Sequence, residues 1–275
     1  MDNLKKLKEE GYCILKNVFP EETIKDWKAR LVEHMSHKEN RCSGEGWATL
    51  KPDAINYSPY HHQLLIFKTP ELIDFLREAC GGVLKYAHHY DNHLNVPALG
   101  MHHDGSIRHI GGGDHATFIK KIKKVVPGLS LKELFGTDNF KAIKKASNDY
   151  NNKHLVRGEE HLVYRVGIYM QDCTKEGGLS VKPRSHKQNS SKCKTEYLPT
   201  EIGDVIIFDS RTFHTGHMHP DNYRGAIFTA FCKPNFLSDL YIMGAIERQT
   251  RQNGKSSYGL HPKFKEVLDQ QNILY

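Results

Sequence analysis

The chain lacks any apolar run near the roughly 20 residues that a membrane-crossing helix needs, which sets aside a helical membrane protein. It also lacks paired cysteines. Cys13, Cys42, Cys80, Cys173, Cys193 and Cys232 are scattered and form no CxxC, so neither a zinc ribbon nor a redox dithiol is expected. The first ten residues mix Lys and Glu with Leu and have no apolar centre, so no secretory signal is expected there. Asn272-Ile273-Leu274-Tyr275 is neither a peroxisomal nor a retention signal. No repeat or low-complexity tract is visible. These absences give the expectation of a cytoplasmic protein with reduced thiols and no membrane partner.

The 275 residues are 38% hydrophobic and 26% charged, which fits one enzyme-sized globular domain. Lys plus Arg number 39 against 32 for Asp plus Glu, a formal charge of +7. That excess is moderate. A nucleic-acid binder would add a recognition helix or an aromatic and basic strand, and neither is visible, so no nucleic-acid partner is expected. A site for an anionic small molecule explains the charge equally well. Histidine is the abundant residue that bears on chemistry: there are 18.

Residues 2–10 predict a short amphipathic helix stopped by Gly11, followed by a strand over Tyr12 to Phe19. A second helix opens at Pro20-Glu21-Glu22, with Ile24, Trp27, Leu31 and Met35 at helical spacing on a packed face. Residues 41–63 read as loop, and 70–80 as a helix stopped by Gly81-Gly82. Strands are predicted over Val83 to Tyr90, Leu94 to Asp104, Leu162 to Met170, Gly178 to Val181, Val205 to Phe208 and Ala226 to Cys232. Short strands between Gly, Pro and Asp turns suggest a β-sandwich or barrel. The block 111–160 interrupts them with helical stretches and eight lysines between Lys120 and Lys145. The tail, 236–275, reads as irregular chain with a short helix near Pro262 to Gln270.

Two patterns carry candidate chemistry. In His102-His103-Asp104, the first and third residues of an extended segment share a face and offer an imidazole and a carboxylate. In Gly203-Asp204-Val205-Ile206-Ile207-Phe208-Asp209-Ser210-Arg211-Thr212-Phe213-His214, a histidine follows an apolar strand. Arg224 stands ten residues later. His102, Asp104 and His214 would make a two-histidine, one-carboxylate triad, which holds iron on one face and leaves the other positions open. A 2-oxo acid and O₂ can take those positions. Arg224 would pair with the far carboxylate of 2-oxoglutarate. His217 and His219 compete with His214 as ligand. His103 is expected to point away, into packing or solvent.

In these segments the chain resembles the phytanoyl-CoA dioxygenase-like branch of the Fe(II)/2-oxoglutarate oxygenases. The similarity runs from Glu9-Glu10-Gly11-Tyr12 through the HxD tripeptide to Gly177-Gly178-Leu179-Ser180-Val181-Lys182-Pro183-Arg184-Ser185-His186-Lys187, close to an "NGxLxVxPGSHK" turn. It continues through His214 to Arg224. The resemblance implies a mainly β protein, a double-stranded β-helix (jelly roll, cupin-like), with flanking N-terminal helices and a helical insertion. It implies Fe(II) and 2-oxoglutarate as cofactors, O₂ as co-substrate and a small-molecule substrate. It divides one oxygenase domain, 1–275, into N-terminal helical support (1–82), a β core (83–110 and 161–235), a basic lid (111–160) and a tail (236–275).

Departures from the family pattern add expectations. Arg184 replaces a glycine, which changes the turn or supplies a substrate contact. Gly216 stands where relatives often carry a serine that assists the 2-oxoglutarate carboxylate, so Thr215 is the candidate to take its place. His89, on the strand before HxD, is a candidate partner for the keto acid. Arg165, Lys182 and Arg184 are candidates for an anionic substrate. Halogenating relatives have a small residue in place of the acidic ligand; with Asp104 present, the resemblance implies hydroxylation, desaturation, cyclisation or demethylation. The rival reading is a cupin-like module that binds a small molecule without catalysis. The sequence does not set an oligomeric state.

Overall fold

The computed structural model describes residues 2–37, 49–96, 100–104, 162–174, 176–188, 192–218, 224–235, 238, 241–242, 245–246, 249 and 259–275. The basic segment 111–160, His219 and most of 236–258 lie outside the described residues.

Helix α1 (Asn3–Glu10) starts on the Asp2 side chain, which accepts from the Leu4 N–H. It ends at Gly11, whose φ of 85° is left-handed and whose N–H donates to the Leu7 carbonyl. A Cβ at Gly11 would strike the His186 and Thr212 side chains, so glycine is required twice over. Strand β1 (Tyr12–Leu15) leads to α2 (Glu21–Ser36), where Ile24, Trp27, Leu31 and Met35 are buried as their spacing predicts. Burial of each such side chain contributes about 1.5–3 kcal/mol. Then come β2 (Thr49–Pro52), 3₁₀ turns at Ala54–Asn56 and Ser58–Lys68, and α3 (Pro70–Ala79). The loop expected across 41–63 is therefore ordered from residue 49 onward. Its buried Tyr60, Gln63 and Ile66 recur at the 3₁₀ spacing, a weaker pattern than that of an α-helix.

The remaining elements are β3 (Lys85–Leu94), β4 (Val163–Tyr169), β5 (Leu179–Val181), α4 (Ser185–Gln188), β6 (Glu196–Leu198), β7 (Val205–Asp209), β8 (His214–Gly216), β9 (Gly225–Cys232) and α5 (Pro262–Gln270). A six-stranded sheet has the order β1-β7-β4-β9-β3-β2, and a three-stranded sheet the order β6-β5-β8; every pairing is antiparallel. The large sheet thus draws two strands from the segment 1–82: β1, within the strand expected over Tyr12 to Phe19, and β2, within the expected loop. The strand expected over Leu94 to Asp104 is also corrected. Asn95 turns left-handed at φ 52° just past the end of β3, and beyond it, among the described residues, the segment contributes an isolated bridge, His102 to His214.

Period-two alternation decides which face each side chain takes. Tyr164, Val166 and Ile168 of β4, with Val205 and Ile207 of β7, join the core beneath α1, α2 and α3. Tyr169, Ile206, Phe208 and Phe228 pack instead against Leu179 and Val181 of the small sheet. This facing pair of antiparallel sheets is a jelly roll, the expected double-stranded β-helix. Helix α5 closes the helical side. Phe264 inserts beside Phe67 and Tyr86, with ring centroids 4.6 and 5.1 Å apart.

Candidate metal centre and anion anchor

β8 and the segment before it are the short pieces on which the site is built. The N–H of His214 donates to the His102 carbonyl at 2.7 Å, and the N–H of His102 returns the bond at 3.0 Å. The N–H of Asp104 donates to the Ser210 carbonyl at 2.8 Å. These backbone bonds bring residues more than a hundred positions apart side by side. Ligand atoms of His102, Asp104 and His214 all lie within 4.8 Å of one another.

The imidazoles are oriented from behind. A carbonyl only accepts, so His102 Nδ1–H donates to Gly100 at 2.7 Å and His214 Nδ1–H donates to Thr212 at 2.9 Å. Each Nε2 lone pair is then left for the centre, the arrangement a metal ligand needs. Nε2 of His102 is 3.9 Å from Asp104 Oδ1, and Nε2 of His214 is 3.7 Å from Asp104 Oδ2. Burial pushes His214 down to about 4, which keeps its imidazole neutral and able to ligate at neutral pH. Two imidazole nitrogens and one carboxylate suit Fe(II). His103 instead packs edge-on against Phe213, as expected. His217 is not brought into the centre: its Nε2 lies 2.7 Å from Ser180 Oγ and its ring is beside Tyr197.

Arg224 opens β9 and is buried. Its N–H donates to Asn95 Oδ1, its Nε to the Gly177 carbonyl and its Nη2 to the Tyr169 hydroxyl. The guanidinium also lies over the Tyr169 ring, 5.2 Å from its centroid. Gly216 explains how it fits. A Cβ at 216 would stand 2.8 Å from Arg224 Nη2, so the glycine is the space the arginine occupies. Gly216 is two residues along β8 from His214 and shares its face, which puts Arg224 about 7 Å from the donors along the strand. A chelating five-carbon diacid spans that gap.

Other expected residues are placed differently. Thr215 sits between His214 and Gly216, so alternation turns it to the opposite face, opposite Ser180 in the β5–β8 register. It is not positioned to assist Arg224. His89 is not beside Arg224 either. Arg165 Nη1 lies 3.2 Å from its Nδ1, and Asp91 Oδ2 lies 3.1 Å from its Nε2. An arginine N–H can only donate, so His89 accepts at Nδ1 and donates at Nε2, and both nitrogens are committed. Arg184 keeps the left-handed turn of the glycine it replaces, at φ 64°, and forks onto Glu10 at 2.7 and 2.9 Å. It tethers the turn to α1. Lys182 follows β5, with its N–H on the Phe213 carbonyl and alternation turning it from the face of Val181. Of the basic candidates Arg165 reaches the centre, its Nη1 3.1 Å from Asp104 Oδ2.

No curated protein matches the chain. Solved structures resemble its fold. SnoN, the non-haem α-ketoglutarate-dependent epimerase of nogalamycin biosynthesis, is 13% identical at TM-score 0.55, covering 84% of this chain and 81% of its own. SnoK, the non-haem α-ketoglutarate-dependent carbocyclase of the same biosynthesis, is 14% identical at TM-score 0.54, covering 83% and 82%. EctD from S. alaskensis, solved with 2-oxoglutarate and 5-hydroxyectoine, is 12% identical at TM-score 0.52, covering 83% and 74%. Identity this low bears on fold alone. The family model of phytanoyl-CoA dioxygenase (PhyH) matches residues 7–219, well over half of the chain and inclusive of all three donors. The chain belongs to the phytanoyl-CoA dioxygenase (PhyH) family.

Proposed function

We propose that His102, Asp104 and His214 hold Fe(II), that Arg224 anchors the distal carboxylate of 2-oxoglutarate, and that the enzyme oxidises a C–H bond of a small polar metabolite, releasing succinate and CO₂. The observation that carries this reading is the convergence of three donors within 4.8 Å, with a buried arginine on the same strand face. The iron and keto acid supply the oxidising power when bound; the chain's own task is to orient donors, hold the diacid and exclude water. Hydroxylation is the outcome we assign, with O₂ as co-substrate. The net charge of +7 supports an anionic substrate. The free thiols of Cys13, Cys80, Cys173, Cys193 and Cys232 support a cytoplasmic location, and no described helix is long and apolar enough to cross a membrane. The whole of 1–275 is proposed as one domain.

The test is turnover without added substrate. Purified protein with Fe(II) and O₂ is expected to convert 2-oxoglutarate slowly to succinate. Anaerobically, it is expected to show a visible absorption band that requires both iron and keto acid. Protein that takes up iron and keto acid but forms no succinate is a binding module, and protein that takes up neither contradicts the reading.

Gly216 gives a second check. Gly216→Ala puts a methyl where Arg224 Nη2 now lies, and overpacking of this kind costs about 1–3 kcal/mol. Because the guanidinium moves more easily than the backbone, the cost is expected in the KM for 2-oxoglutarate, about 5- to 150-fold higher, with thermal stability nearly unchanged. A KM equal to wild type removes Arg224 from keto-acid binding.

A further inference from the structure

Arg165 is a buried cation in direct contact with a residue of the metal centre. Its Nη1 lies 3.1 Å from Asp104 Oδ2, 3.2 Å from His89 Nδ1 and 3.4 Å from the Tyr241 hydroxyl. Its Nε is buried without a partner. His89 in turn donates to Asp91 Oδ2 at 3.1 Å, and Asp91 is 1% exposed. His89 and Asp91 are two apart on β3, and Arg165 crosses from β4 on the same inner face. Left-handed His88, at φ 48°, shifts the β3–β9 register between Tyr86 and Tyr90, next to His89. The result is a continuous chain of contacts: Asp91, His89, Arg165, Asp104.

A guanidinium at this place is costly. It repels a divalent cation held by the neighbouring triad, and it stays charged at any working pH. Asp91, reached through His89, supplies the compensating negative charge from behind. The arrangement gains a constraint on Asp104. Both carboxylate oxygens face the centre, and a carboxylate using both on the metal would fill one of the positions that the keto acid and O₂ require. Arg165 pairs with Oδ2, while Oδ1 faces His102 Nε2.

We propose that Arg165 is a positioning residue that holds Oδ2 of Asp104 in an ion pair and so limits Asp104 to one ligating oxygen, with His89 and Asp91 holding Arg165 in place. This rests on the reading that Asp104 is an iron ligand. It assigns Arg165 to the metal ligand and not to the substrate anion.

The experiment is anaerobic titration of the full-length protein with Fe(II), then with 2-oxoglutarate, in wild type, Arg165→Met, Arg165→Lys and His89→Ala. Loss of a group that orients a metal ligand typically costs 10- to 100-fold in affinity or activity; with Oδ2 freed to ligate and a repelling charge removed, Arg165→Met is expected to show about that loss in 2-oxoglutarate affinity, with no fall in Fe(II) affinity measured without keto acid. Its visible band with Fe(II) and 2-oxoglutarate is expected to shift or disappear, because the coordination of the iron changes. Arg165→Lys keeps one donor and is expected to recover part of both. His89→Ala is expected to lose less, in the same direction. Thermal unfolding of the metal-free proteins identifies any variant that fails to fold. If Arg165→Met does, the comparison passes to Arg165→Lys and His89→Ala. Wild-type 2-oxoglutarate affinity and an unshifted band in the folded variants overturn the proposal alone. Failure of the wild type to bind Fe(II) overturns the reading of the centre and this proposal with it.

Discussion

His214→Ala is expected to bind no Fe(II) in a titration that saturates the wild type, and to form no succinate from 2-oxoglutarate. The remaining pair, His102 and Asp104, offers one nitrogen and one carboxylate in a partly exposed setting, with their closest ligand atoms 3.9 Å apart. His214 is the buried member of the centre, and its ring stands 4.5 Å from His102 and 4.7 Å from Phe208. Its contribution to the fold is mostly main-chain. The paired bonds with His102 at 2.7 and 3.0 Å survive truncation, so the metal-free variant is expected to keep the β-rich circular dichroism of the wild type. A folded variant that binds Fe(II) as the wild type does would remove His214 from the centre.

Arg224→Met should affect the keto acid and not the metal. Removing one partner of a buried, hydrogen-bonded charge pair costs about 2–5 kcal/mol. That corresponds to a KM for 2-oxoglutarate raised from about 30-fold to a few thousand-fold. Fe(II) affinity in the absence of keto acid is expected to stay near wild type, since Arg224 faces Gly216 and Tyr169 and not the donors. Arg224→Lys keeps the charge but cannot reproduce the fork, so an intermediate KM is expected. Steady-state succinate formation across a 2-oxoglutarate series measures all three. An unchanged KM in Arg224→Met, in the presence of normal Fe(II) binding, contradicts the anchor.

Much of this was legible in the residues. Helix α2 announces itself because Ile24, Trp27, Leu31 and Met35 fall on one stripe. β4 and β7 are buried over their whole length because both of their faces are covered, one by helices and one by the small sheet, and they read as mostly apolar. The donor triad could be read because HxD and a histidine beyond a strand are local patterns whose order is informative. What could not be read depends on contacts across the chain. Arg184 meets Glu10 across 174 positions, and Arg165 meets Asp104 through a sheet register that no window displays. His102 lies on a bridge beyond a left-handed Asn95, and asparagine marks such turns too loosely to be singled out in advance. For Thr215 a usable signal was present. Counting in twos from His214 puts Gly216 on the ligand face and Thr215 on the other. The missing side chain at 216, read at first as the loss of a helper, is the room that Arg224 fills.

The most direct measurement is an anaerobic crystal structure with 2-oxoglutarate and Mn(II) as a redox-inert substitute for Fe(II). The account predicts one metal ion bonded to Nε2 of His102, a carboxylate oxygen of Asp104 and Nε2 of His214, with the distal carboxylate of the keto acid on Arg224. Metal bound elsewhere, or a keto acid whose distal carboxylate ignores Arg224, would contradict it.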